Sequence, residues 1–128
     1  MMVDSFSVEI ITPDKTILKS EASEVTIPSY EGQMGILKDH IPLITFLRPG
    51  LILIDQEKKK FFVEEGTVEF SNNRLLILTS KVQDISNFKK DTIKGLIEEA
   101  EKKFQDDNLT DKEKYIISYK IDTLKEIN

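Results

Sequence analysis

The sequence predicts a β + α chain: a β domain over residues 1–85, then an antiparallel two-helix hairpin over 86–128. Three observations carry that expectation. Up to about Asp84, short alternating or continuous apolar runs recur between turn residues. A turn signal roughly every eight to twelve positions is the rhythm of a β-sandwich or barrel. From Asn87 onward the apolar spacing lengthens to that of a helix face, so the seam falls at Asp84 to Asn87.

The elements follow in order. Phe6-Ser7-Val8-Glu9-Ile10 alternates with period two, as a half-buried strand does. Thr12-Pro13-Asp14-Lys15 is a turn, and Glu24-Val25-Thr26-Ile27 alternates again. The stretch from Pro28 to Gly50 holds three of the five glycines, three of the four prolines and the only histidine. Glycine supplies positive φ and proline presets φ for a turn, so the backbone bends sharply several times here. Glu31-Gly32, Met34-Gly35 and Arg48-Pro49-Gly50 are the turn dipeptides and tripeptide, with Gly35, Pro42, Pro49 and Gly50 as backbone-shaping positions. Leu51 to Ile54 and Leu75 to Leu78 are short continuous apolar runs that fit sandwich-interior strands, although periodicity alone also admits helix. Between them lie a polar turn at Asp55 to Lys58, a strand at Phe61-Phe62-Val63 and a break at Gly66. Val68-Glu69-Phe70 is the next strand, and Ser71-Asn72-Asn73 makes a hairpin turn.

Beyond the seam, Ile93, Leu96, Ile97, Ala100 and Phe104 share one helix face, opposite Lys94, Glu98, Glu99, Glu101 and Lys102. The spacing predicts a helix over about 87–104, capped by Ser86 or Asn87. Gly95 costs that helix about 1 kcal/mol relative to alanine. Gln105 to Leu109 is a polar break. Thr110-Asp111-Lys112-Glu113 is a capping box, in which the Thr110 hydroxyl and the Glu113 carboxylate each satisfy an end-of-helix N–H. The second helix, about 111–126, carries Ile116, Ile117, Ile121, Leu124 and Ile127. Neither helix is apolar all round, so the hairpin can zip its stripes together, lie on the β domain or lie on something else.

Composition narrows the function. At 39% apolar and 32% charged residues, the chain reads as soluble and globular. No run approaches the ~20 apolar residues of a membrane span. Met1 to Phe6 lacks the basic start and apolar core of a signal peptide, and there is no cysteine, so a cytoplasmic setting is expected. The net charge is −5, and Arg48 and Arg74 are the only arginines. An acidic, arginine-poor, tryptophan-free chain argues against nucleic-acid binding. No Gly-rich phosphate loop and no His or Cys pair at metal spacing occurs, so no cofactor or metal is expected. The paired carboxylates Glu64-Glu65, Glu98-Glu99 and Asp106-Asp107 point to different faces and make poor acid–base dyads.

The run Glu31-Gly32-Gln33-Met34-Gly35-Ile36-Leu37, then His40-Ile41-Pro42-Leu43-Ile44-Thr45, then Leu47-Arg48-Pro49-Gly50, has a specific order and spacing. It resembles the ε subunit family of F-type ATP synthases, whose mitochondrial counterpart is called δ. Weaker matches are Gly66 before a strand and the Asp84-Ile85 step into the first helix. The resemblance implies a flattened β-sandwich of about ten short strands with a two-helix C-terminal domain. It implies a non-catalytic central-stalk subunit beside γ and on the membrane c-ring, coupling proton-driven ring rotation to ATP synthesis. The expected location is peripheral, on the cytoplasmic face of the bacterial inner membrane. In many bacterial relatives the C-terminal helices extend along γ, toward the α/β catalytic head, and restrain ATP hydrolysis.

Carried over by position, Glu31, Gly32, Gln33 and Met34 are c-ring contact candidates; without the resemblance they read as a polar hairpin tip. His40 is a γ-contact candidate; no serine, cysteine or carboxylate constellation in the sequence makes it catalytic. Pro42 and Thr45 shape the backbone. Lys58-Lys59-Lys60 is a solvated hairpin tip, with attraction to anionic lipid as the alternative. A second functional reading is a regulatory module whose hairpin closes over ATP. Relatives that do so carry a motif of Ile or Leu, Asp, two variable residues, Arg and Ala. Here that stretch is Ile85-Ser86-Asn87-Phe88-Lys89-Lys90, which replaces the acid, the arginine and the alanine. Lysine offers phosphate a point charge where arginine offers a bidentate fork, so ATP sensing is disfavoured.

Overall fold

The computed structural model describes residues 4–55 and 58–127. Gln56 and Glu57 of the expected polar turn, and the Ile127 side chain of the second stripe, lie outside what is described. Two compact units emerge, residues 1–86 and 87–128. The first contains ten strands: β1 (Phe6–Ile11), β2 (Thr16–Ala22), β3 (Glu24–Ser29), β4 (Gly32–Leu37), β5 (Leu43–Leu47), β6 (Gly50–Ile54), β7 (Lys59–Val63), β8 (Gly66–Ser71), β9 (Arg74–Leu78) and β10 (Val82–Asp84). The second contains α1 (Lys90–Phe104) and α2 (Asp111–Ile127).

The strands form one curled sheet in the order β10-β7-β6-β3-β5-β8-β9-β1-β2, with β4 on the free side of β3. The sheet folds over at β3. Its first half pairs with β6 through Val25–Ile54 and Thr26–Leu53, while its last residue, Ser29, reaches Leu47 of β5. Two leaves result, β10-β7-β6-β3-β4 and β5-β8-β9-β1-β2. The first contributes Val25, Ile27, Ile36, Ile52, Ile54, Phe61 and Val63 to a single core cluster. The second contributes Phe6, Val8, Ile10, Leu47, Val68, Phe70, Leu75 and Ile77. Period-two side chains explain why: Phe6, Val8 and Ile10 are buried while Ser7, Glu9 and Ile11 are not. The Phe6 and Phe70 ring centroids lie 5.5 Å apart with the ring planes at 88°, the edge-to-face geometry favoured by aromatic quadrupoles.

Gly50 shows why this position refuses a side chain. A Cβ there would lie 2.6 Å from the Cβ of Pro28, where β6 begins beside β3. Pro49 is buried just before it, so the Arg48-Pro49-Gly50 turn is packed as well as bent.

In the second unit, Ile93 and Ile97 from the start of α1 pack with Leu124 near the end of α2, with Phe88 and Leu96 half-buried against them. Contact between the beginning of one helix and the end of the other is antiparallel packing, and residues 105–110 suffice to connect them. Thr110 opens α2: its hydroxyl accepts the Glu113 N–H at 3.1 Å, and Glu113 accepts the Thr110 N–H at 3.2 Å. The start of α1 differs from expectation. The helix begins at Lys90, its cap residue is Lys89, and no side chain caps it. Ser86 is not a helix cap, because its hydroxyl is engaged within the sandwich: it accepts the Lys60 N–H at 2.8 Å and donates to Asp84 at 2.6 Å.

Candidate partner-binding surface

The tip between β3 and β4 is tighter than its sequence suggests. Ser29 pairs with Gly32, which leaves Tyr30 and Glu31 as a two-residue loop. Gly32 has φ +121°, a region that side chains rarely enter. The fully buried Ser29 hydroxyl donates to the Gly32 carbonyl at 2.7 Å and accepts the Glu31 N–H at 3.2 Å, bracing the tip from beneath. Glu31 and Gln33 are exposed. Met34 is half-buried and packs against the sandwich core, so its side chain is not part of the tip. Gly35 is not a turn residue either; it pairs with Thr26 in mid-strand. The reason is strand parity: from Gly32 onward alternate residues face out and in, which sends Gln33 out and Met34 in.

His40 sits in the loop between β4 and β5. Its Nδ1 donates to the Ile41 carbonyl at 2.7 Å, and its ring packs edge-to-face with Phe70, the centroids 5.9 Å apart. Pro42 is exposed and immediately precedes β5. Asp39 and Asn73 both hold left-handed backbones, at φ 65° and 57°.

Beside these residues lies a face that no sequence motif announced. On β5, Leu47 points into the core, while Ile44 and Phe46 point out with 72% and 60% of their surface exposed. Register carries the row onward: Phe46 opposes Thr67, Thr67 opposes Leu78, and Leu78 opposes Ile11. Tyr30, 60% exposed, joins at the far end through its N–H to the Phe46 carbonyl. Tyr30, Phe46, Leu78, Ile11 and Pro13 line a groove of about 610 Å³. The neighbouring row across the same face is Ile44, Glu69, Leu76, Glu9 and Lys19, which is mostly charged. The missed signal was the run Leu43-Ile44-Thr45-Phe46-Leu47, in which both parities of one strand are apolar. A half-buried strand needs only one apolar parity, so the second calls for a partner.

The lysine run belongs to the other end of the sandwich. Val25 pairs with Ile54, so the β6–β7 tip with Lys58 lies at the start of β3, whereas Glu31 follows its end. The length of β3 puts roughly 17 Å between them. Lys59 forms an ion pair with Asp84 at 3.8 Å. Burial opposes ionisation of Asp84, but the Ser86 hydroxyl and N–H together with Lys59 outweigh it and hold the carboxyl below its ordinary value. Among the described residues no cluster of His, Cys, Asp or Glu could hold a metal, and no helix is long and apolar enough to cross a membrane.

The family described as ATP synthase, Delta/Epsilon chain, beta-sandwich domain matches residues 5–84. An ATP synthase epsilon chain of Pelagibacter ubique is 44% identical, covering 99% of this chain and all of that protein. A chloroplastic ATP synthase epsilon chain of Guillardia theta is 35% identical over 80% of this chain and 79% of its own length. Two solved structures share the fold. One chain of the Euglena gracilis mitochondrial ATP synthase, in an assembly of OSCP, F1 and c-ring, has a TM-score of 0.69 at 18% identity, covering 94% of this chain and 77% of that one. One chain of the Tetrahymena thermophila mitochondrial ATP synthase central stalk and c-ring has a TM-score of 0.61 at 17% identity, covering 94% of each. The braced tip, the two-sided β5 strand and the helical pair thus occur in a chain that belongs to the ATP synthase delta/epsilon family.

Proposed function

We propose that this chain is a non-catalytic rotor subunit of a proton-translocating F-type ATP synthase, peripheral to the cytoplasmic face of the inner membrane. Its sandwich joins γ to the c-ring, so that ring rotation is coupled to ATP synthesis. The observation that carries this reading is the apolar row Tyr30–Phe46–Leu78 around its groove, adjoining a stiff polar tip. Large exposed apolar patches mark protein–protein contacts. The groove side takes γ, with His40 at the other end of β5. The tip, with the side chains of Glu31 and Gln33 and the backbone of Gly32, meets the polar loops of the c-ring. A joint that carries torque needs a tip that does not flex, and the buried Ser29 brace supplies one. The hairpin takes no part in these contacts and adjusts ATP hydrolysis at the catalytic head.

Phe46→Asp tests this reading. Replacing an exposed ring by a charge leaves the core intact and should lower affinity for γ at least tenfold, with thermal unfolding unchanged. Wild-type affinity in that variant would refute the assignment of the groove. Deleting residues 87–128 should leave γ and c-ring binding in place and change only the restraint on hydrolysis.

A further inference from the structure

We infer that Asp39 and Asn73 are positioning residues: paired across the sandwich, they present Ile41 as a preformed apolar knob to γ. The inference rests on the rotor reading above. The two residues lie 34 positions apart in sequence and clasp each other reciprocally. The Asp39 N–H donates to Asn73 Oδ1 at 2.7 Å, and Asn73 Nδ2 donates to Asp39 Oδ1 at 2.9 Å. Asn73 is in turn held by β1, because its carbonyl accepts the Ser7 N–H at 3.1 Å. The His40 N–H closes the turn onto the Leu37 carbonyl at 3.1 Å, and the His40 ring rests on the buried Phe70. The loop is therefore fastened to β1, β4 and β8.

This fastening does not serve burial of the loop. Ile41 is 74% exposed, the largest value among the exposed large apolar side chains of the described residues. Both clasping residues hold left-handed backbones, which asparagine and aspartate tolerate better than most side chains but still at some cost. A loop so tightly held, with its apolar residue turned to solvent, fits a contact whose ordering cost is met before binding. Ile41 also leads directly into β5, so the knob is continuous with the strand that carries Ile44 and Phe46.

The test is a double-mutant cycle, binding the full chain to a catalytic head that carries γ but lacks this subunit. Asn73→Gly keeps the left-handed backbone and the Ser7 hydrogen bond and removes only the clasp. Asn73→Gly and Ile41→Ala should each weaken binding about tenfold, the size expected from losing one or two such contacts. The double variant should bind no more weakly than Ile41→Ala alone, because the clasp acts through that side chain. Asp39→Asn keeps the acceptor carbonyl and should bind as wild type. Fully additive losses, or unchanged affinity in Asn73→Gly, would overturn the clasp while leaving the rotor reading intact. Failure of the unaltered chain to bind would overturn the rotor reading itself. Should Asn73→Gly not fold, Asp39→Gly, also at a left-handed position, carries the same expectations.

Discussion

The sandwich and the helical pair use the same kinds of apolar residue to different effect. In the sandwich, seventeen buried residues among those described form one cluster drawn from both leaves, many with no exposed surface at all. In the helical pair, among the described residues, Ile93, Ile97 and Leu124 form the buried cluster, and Ile116, Ile117 and Ile121 stay half-buried. A sheet folded over into two leaves encloses the side chains between them, whereas two helices packed together cover only the stripes that face each other. The difference suits the roles proposed above: the part proposed to transmit force has the enclosed core, and the part proposed to change arrangement has the open one.

The largest effect should follow from opening the closed core. Phe70→Ala removes a ring packed on Phe6 and beneath His40, and should destabilise the sandwich by about 3–5 kcal/mol in urea titration. Loss of less than about 1 kcal/mol would show the core to be plastic, contrary to the comparison. Leu124→Ala should cost the helical unit about 2–3 kcal/mol, and hydrogen exchange should rise over residues 90–127 while the strands keep their protection. Spread of the effect into β8 and β9 would mean that the two units are one cooperative body. Thr110→Ala deletes the cap of α2 and should cost about 1 kcal/mol, read as faster exchange in the first turn of that helix.

The smallest effect concerns the seam. The Asp84 carboxyl is held below its ordinary value, so it contributes stability above that ordinary value and loses it as pH falls through the lower folded value. The Ser86–Lys60 clasp at the end of the sandwich should therefore persist at neutral pH and loosen only in strong acid. Amide exchange at Lys60, followed from pH 7 to pH 3, checks this. Because Asp84 is substantially exposed, solvent screening keeps the contribution modest. Loosening that begins above pH 5 would contradict it.

Several elements were legible because local chemistry dictates them. The alternation of Phe6, Val8 and Ile10 could only be a strand with one buried face, and the apolar run Leu75 to Leu78 became β9 as its turn-bounded length suggested. The Thr110–Glu113 pair needs nothing beyond four consecutive residues to work. Other features depend on residues far away in sequence. The three-residue strand β10 exists because Gln83 finds Phe62 across the sheet, and too short a run carries no periodicity of its own. Ser86 looked like a helix cap until Asp84 and Lys60 engaged its hydroxyl. Met34 looked like part of a tip until the pairing of Ser29 with Gly32 set the turn two residues earlier.

What the amino-acid order determined alone was therefore the alphabet of the molecule: strands up to Asp84, helices after it, and sharp bends between Pro28 and Gly50. Tertiary structure decided which of two apolar parities on β5 stays uncovered, which tip residues face outward, and that Asp39 finds Asn73. Those outcomes turn on register and on long-range hydrogen bonds. A strand's side-chain direction reverses with a one-residue shift in pairing, and no local sequence window contains the partner that sets it.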